Sequence, residues 1–216
     1  MAIRDENTIQ ILTKNLYNSL RKLPLIGLFL IKYKKILKII FIKYFSSPRD
    51  FLFKKIDIDS PICCEIGVYE GIFSNRILIK CKPKKLLLID PWEEIPSSKK
   101  AKYKKHNQEL RYKKVKNCFR DELSNEKIEI LRTRSEIAKN FIKNNFIDFL
   151  YIDGDHSYNA VLNDLKNYYP KVKNGGLIAG DDIRLDEVSK AVEDFQKDEQ
   201  GIKLKIKNDQ FYFFKP

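Results

Sequence analysis

Carboxylates dominate the residues of this chain that could do chemistry. Tyr151-Ile152-Asp153-Gly154-Asp155-His156-Ser157-Tyr158 and Gly175-Gly176-Leu177-Ile178-Ala179-Gly180-Asp181-Asp182 each place acids directly after an apolar run. If those runs are neighbouring strands of one sheet, Asp153, Asp181 and Asp182 converge at its edge. Three carboxylates in so small a volume repel one another unless they share a proton or a cation. A hard divalent ion such as Mg2+, bound through oxygens and waters, answers that demand. His156 stands three residues beyond Asp153 and is one of only two histidines. With an ordinary pKa of about 6.5, it is the candidate general base for a substrate hydroxyl. Each acid also has a plainer reading alone: Asp181-Asp182 as a turn or helix N-cap, and Asp155 with His156 as a cap for the following helix.

A second constellation lies upstream. Cys63-Cys64-Glu65-Ile66-Gly67-Val68-Tyr69-Glu70-Gly71 is a strand running into a glycine-bounded turn and a helix. In open α/β sheets ligands sit at the carboxyl ends of strands. Gly67 would let the backbone approach a ligand, and Gly71 would let the helix start close to the strand. The dinucleotide fingerprint G-x-G-x-x-G is not met, because Tyr69 stands where its second glycine would be. The turn therefore suits an amino-acid-like group better than a pyrophosphate, with an ammonium for Glu65 and a carboxylate for the helix N-terminus. Asp90, in Leu88-Ile89-Asp90-Pro91-Trp92, follows the next apolar run. An acid there can accept both hydroxyls of a ribose, and Trp92 could lie against an adenine. The plainer reading of Asp90 is a turn residue before proline.

These groups need a scaffold, and the pattern supplies one. Residues 62–66, 85–89, 128–131, 146–152 and 177–179 read as strands. Residues 72–81, 99–123, 135–144, 158–173 and 185–199 read as helices. Such alternation implies right-handed crossovers and a parallel sheet covered on both faces. The segments 202–206 and 211–214 are separated by only four residues, which suits an antiparallel hairpin. The fold class is thus α/β: a doubly wound, mostly parallel seven-stranded sheet ending in an antiparallel hairpin.

The 216 residues carry a formal net charge of +13, unevenly spread. Residues 1–56 hold 12 Lys/Arg against 3 Asp/Glu, while 57–216 hold 30 against 26. An evenly basic nucleic-acid binder would not show this split, so nucleic acid is disfavoured as a partner. Four cysteines without C-x-x-C spacing fit a reducing, cytoplasmic setting and no zinc knuckle. No cleavable signal pattern opens the chain. We divide it into a basic helical extension, 1–50, and a catalytic domain, 51–216. Within the extension, Leu23–Phe45 combines an apolar stripe with five lysines. Its longest unbroken apolar run is far below the ~20 residues that span a bilayer. The segment either lies on an anionic inner-membrane surface or packs against protein, as a domain cover or the seam of a homo-oligomer.

Taken together, Glu65-x-Gly67-x-x-x-Gly71, Asp90, Asp153-Gly154-Asp155-His156-x-Tyr158, Gly175-Gly176 leading to Asp181-Asp182, and Ala191–Phe195 resemble the class I S-adenosylmethionine-dependent methyltransferases. The likeness covers residues 55–216 and is nearest to the metal-dependent, sugar- and macrolide-modifying O-methyltransferases. It implies a Rossmann-like sheet, S-adenosylmethionine as cofactor and a small-molecule hydroxyl as acceptor. By the same resemblance Glu65, Gly67 and Gly71 line the methionine end, Asp90 holds the ribose, Ser135 and Glu136 sit near the adenine, and Asp153, Asp181 and Asp182 hold the metal. His156, or Asp153 beside the metal, takes the proton. Two other readings stay open: another acceptor, such as an N-methyl or RNA target, or a non-catalytic membrane-associated scaffold.

Overall fold

The computed structural model describes residues 46–93 and 105–216, together with Ile42. The chain divides between Phe51 and Leu52. The membrane or packing role expected of 23–45 lies, but for Ile42, outside the described residues. So does the start of the lysine-rich segment, through residue 104. Among the described residues no helix is long and apolar enough to cross a membrane.

From Leu52 onward the chain builds one seven-stranded sheet. Its strands are β1 (Ile62–Ile66), β2 (Lys85–Ile89), β3 (Ile128–Leu131), β4 (Ile147–Ile152), β5 (Val172–Gly180), β6 (Lys205–Lys207) and β7 (Gln210–Phe214). They lie in the order β3-β2-β1-β4-β5-β7-β6. The first five are parallel and β7 runs antiparallel to both its neighbours. The expected architecture is therefore the observed one. β1, β2 and β4 are buried almost end to end, which is why they read as unbroken apolar runs rather than alternating ones. The one acid inside β4, Asp148, is satisfied in place: its carboxylate accepts Ile62 N–H and Lys173 Nζ, both at 2.8 Å.

The register carries the main consequence for function. Ile66 pairs with Ile89 and with Ile152, and Ile152 pairs with Gly180. Four strands thus end level. The ladder then continues one residue further, through Gly67 N–H to Ile89 O (2.9 Å), Asp153 N–H to Ile66 O (2.8 Å) and Asp181 N–H to Ile152 O (3.1 Å). Asp90, Gly67, Asp153 and Asp181 emerge side by side along one edge.

The helices are α1 (Ile72–Lys80), α2 (Lys105–Cys118), α3 (Arg120–Ser124), α4 (Ser135–Ala138), α5 (Tyr158–Tyr168) and α6 (Asp186–Asp198). α6 buries Val188, Ala191, Val192 and Phe195, the face its apolar spacing marks out. Three local expectations shift. The helix expected over 99–123 breaks at Phe119 into α2 and α3. The helix expected over 135–144 is a single turn followed by a 3-10 turn. β5 begins at Val172 rather than Leu177, because a register shift between Ile147 and Phe149, with Gly175 at φ 76°, lets the strand continue through the glycine pair.

One buried acid supports the sheet edge from below and had no signal in the sequence reading. Asp164 on α5 is 4% exposed, bonds the Ser135 side chain, and lies under Gly154, whose added Cβ would come 3.9 Å from its Oδ2. Burial pushes its carboxyl up to about 7; the Ser135 bond opposes this, and Glu136 and Asp155 add to it. The raised folded-state pKa means that stability present below pH ~4 is lost as pH climbs toward 7. We predict that Asp164→Asn raises the unfolding free energy at pH 8 by on the order of 2 kcal/mol. That gain should shrink to nothing near pH 4 in urea titrations across the range; a gain independent of pH would refute the assignment.

Candidate active site

The loop after β1 is shaped by its neighbours as much as by any ligand. Gly67 has φ 88°, and a Cβ there would lie 1.9 Å from Asp153 O. It is glycine because the end of β4 passes against it. The sequence reading assigned the same residue to ligand approach alone. A Cβ on Gly71 (φ 71°) would meet the Phe119 ring at 3.0 Å and Val115 at 3.4 Å. Its small size therefore admits α2 and the turn behind it, where the sequence reading had pointed to the strand. Between them Tyr69 takes φ 53°, unusual for a bulky residue, and three contacts hold it there. Arg111 Nη2 donates to Tyr69 Oη at 3.1 Å, with the guanidinium 4.2 Å over the ring. Trp92 Nε1 donates to Tyr69 O at 2.9 Å. Tyr69 N–H donates to Asp90 Oδ2 at 2.9 Å.

Asp90 is the keystone of this loop. Its Oδ2 also accepts Val68 N–H (3.0 Å), and its Oδ1 accepts Trp92 N–H (2.7 Å). A carboxylate offers roughly four acceptor directions, so three are already used within the fold. Burial holds its pKa above the usual carboxylate range, against the pull of those three N–H groups and Arg111. The residue expected to hold a ribose thus first holds the loop. Trp92 departs further from its expected place. At 3% exposure, with φ 44° and its ring 5.2 Å from that of Tyr112, it is a buried strut. Its indole is spent on the loop carbonyl and does not form an open shelf for an adenine.

Glu65 is 1% exposed and accepts the Ser74 hydroxyl. The N-cap of α1 is Gly71, which has no side chain of its own to cap the first turn, a setting that leaves room for an anion at the leading N–H groups. Ser135 opens α4 across the sheet edge, its carbonyl accepting Tyr168 Oη–H at 2.9 Å, and Glu136 is exposed beside it.

The acidic group assembles with one substitution. Asp153, His156 and Asp182 each offer a ligand atom, and these atoms lie within 4.8 Å of one another. His156 Nε2 stands 3.4 Å from Asp182 Oδ2, with both side chains partly open to solvent. Asp182 has φ 57°, which turns it away from the strand direction. Asp181, expected in the cluster, is 9% exposed, and its Oδ1 accepts a hydrogen bond from Gln210 Nε2. A residue expected as a base thus takes the place of one expected as a ligand. Asp155, with a plainer reading as a cap for the following helix, instead forms a turn just before it, its Oδ1 accepting the N–H of the N-cap residue Ser157 at 2.9 Å. The N-terminus of α5 is closed from α6, Glu187 Oε2 accepting Tyr158 N–H at 2.8 Å. Sequence reasoning missed Asp164, Arg111, Glu187 and Gln210, since each acts across distances that no local spacing encodes.

A family model described as a methyltransferase domain matches residues 64–183. An uncharacterized protein, R132 of Acanthamoeba polyphaga mimivirus, is 32% identical over 145 residues, which are 61% of this chain and 59% of that protein. The chain's match thus spans under two thirds of that relative's length. Among solved structures, the O-methyltransferase NovP is similar at 21% identity over 79% of this chain and 81% of its own, with a TM-score of 0.55. An O-methyltransferase from Bacillus cereus, in complex with SAH, is similar at 14% identity over 77% and 80%, with a TM-score of 0.54. Those two likenesses are of fold. The family match runs from the strand before the glycine loop to just past the paired aspartates, and on it the chain belongs to the methyltransferase-domain family.

Proposed function

We propose that this chain transfers a methyl group from S-adenosylmethionine to a hydroxyl of a small molecule, with a divalent cation at the strand edge. One observation carries the reading: the Asp153, His156 and Asp182 cluster sits level with Gly67, whose loop is the family's cofactor loop. Two carboxylates, completed by waters, are a suitable donor set for Mg2+ or Mn2+, and the imidazole stands within the same reach.

S-adenosylmethionine supplies an electrophilic methyl on a sulfonium. The N-terminus of α1, begun by Gly71, would hold its carboxylate, Glu65 would contribute negative potential for its ammonium, and the remaining acceptor capacity of Asp90 would serve the ribose. Ser135 and Glu136 border the adenine side. Asp153 and Asp182 would hold the divalent cation, which would supply Lewis acidity and orientation for a substrate hydroxyl. His156 would accept the hydroxyl proton at Nε2, which lies 3.4 Å from Asp182 Oδ2. A second assignment, His156 as third ligand, is favoured by the compactness of the cluster. The two separate on His156→Ala: a base leaves Mn2+ affinity intact, whereas a ligand takes affinity with it.

The acceptor is proposed to be a carbohydrate or natural-product hydroxyl. RNA is less suited, because the site edge is acidic and repels phosphates. The basic residues concentrate instead in 1–56 and 99–116.

Transfer of radiolabelled methyl to a panel of sugar and phenolic acceptors should require Mg2+ or Mn2+ and stop on chelation; transfer indifferent to EDTA removes the metal. Asp182→Ala should abolish transfer while keeping affinity for S-adenosylhomocysteine within several-fold by calorimetry. Asp90→Ala should weaken that affinity by about 1.5–3 kcal/mol, and unchanged binding would remove Asp90 from the cofactor site.

A further inference from the structure

The two-residue turn joining β6 and β7 reaches back to the loop that carries Asp182. Asn208 and Asp209 both have positive φ, 53° and 66°, between the closing pair Lys207 and Gln210, the geometry of a tight hairpin. This turn grips residues 181–184 at three points. Ile183 N–H donates to Asp209 O at 3.3 Å. Arg184 N–H donates to Asp209 Oδ1 at 3.2 Å. Gln210 Nε2 donates to Asp181 Oδ1. The amide of Gln210 is oriented in turn, since Tyr151 Oη–H donates to its Oε1. Tyr151 and Gln210 are 0% and 2% exposed.

The relay joins three strands. Tyr151 lies on β4 two residues before Asp153, Gln210 opens β7, and Asp181 follows β5. A buried amide with both ends engaged has one orientation, and a buried polar network fully satisfied is rigid. Because Tyr151 occupies the carbonyl end, the NH2 end must face Asp181. The carboxylate of Asp181 is thereby drawn inward, and its neighbour Asp182, in the left-handed conformation, is turned out toward Asp153 and His156.

We propose that Gln210 is a positioning residue for the metal-holding edge: through Asp181 it sets the direction of Asp182. The proposal rests on the metal reading above. It assigns the terminal hairpin a task in the site, beyond closing the sheet.

Titration of the purified full chain with MnCl2 alone, by calorimetry, tests it, with S-adenosylhomocysteine titrated in parallel. Gln210→Leu should weaken Mn2+ binding by about 10- to 100-fold, the range for outer partners of metal ligands, and leave S-adenosylhomocysteine affinity within twofold. Gln210→Glu, which sets a carboxylate against Asp181, should lose at least as much. Tyr151→Phe should lose less, about three- to tenfold, and it decides the matter if the Gln210 variants do not fold. Wild-type chain that takes up no Mn2+ overturns the metal reading, and the proposal with it. Wild-type chain that binds Mn2+, beside folded variants that bind it equally well, overturns the proposal alone. So does a parallel fall in affinity for both ligands, which marks general loosening.

Discussion

The level termination of four parallel strands is the constraint from which the rest of the site follows. Residues 66, 89, 152 and 180 share one register line, so the residues after them leave the sheet at the same height and about 5 Å apart. Hydrogen bonding along the ladder fixes this far more tightly than any side-chain contact could. A slip of one residue in a single strand would reverse its faces and withdraw its carboxylate from the row. The apolar stretches that bury both faces of β1, β2 and β4 are thus also what aims the polar residues at their ends.

Acids at the tips of buried strands need partners, and the fold provides them in two ways. Asp90 and Asp181 are turned inward and satisfied by protein, the first by three backbone N–H groups and the second by an amide from β7. Asp153 and Asp182 lie within reach of the His156 imidazole, and Asp182 is partly open to solvent. Inward acids build the frame, and the outward pair is the one we propose to hold a cation. That division of labour resolves the crowding of negative charge that the motif alone implies.

The sheet and its hairpin were legible in the sequence because doubly buried strands and amphipathic helices differ in period and in run length. The acidic edge was legible because each acid follows such a run directly. What escaped were placements decided by partners far along the chain. Asp181 stays out of the cluster with its carboxylate bonded to Gln210, 29 residues further along the chain. Trp92 looked like a stacking surface, yet its left-handed backbone and its bond to Tyr69 O fold it inward. Gly67 carried the right residue type for a second reason, invisible without knowing that β4 passes beside it.

That contact ties the loop after β1 to the end of β4. With 1.9 Å between a notional Cβ on Gly67 and the Asp153 carbonyl, neither segment can be displaced without the other. Grafting a different loop onto this scaffold would therefore mean transplanting the end of β4 as well, and the two segments can be redesigned only as a unit.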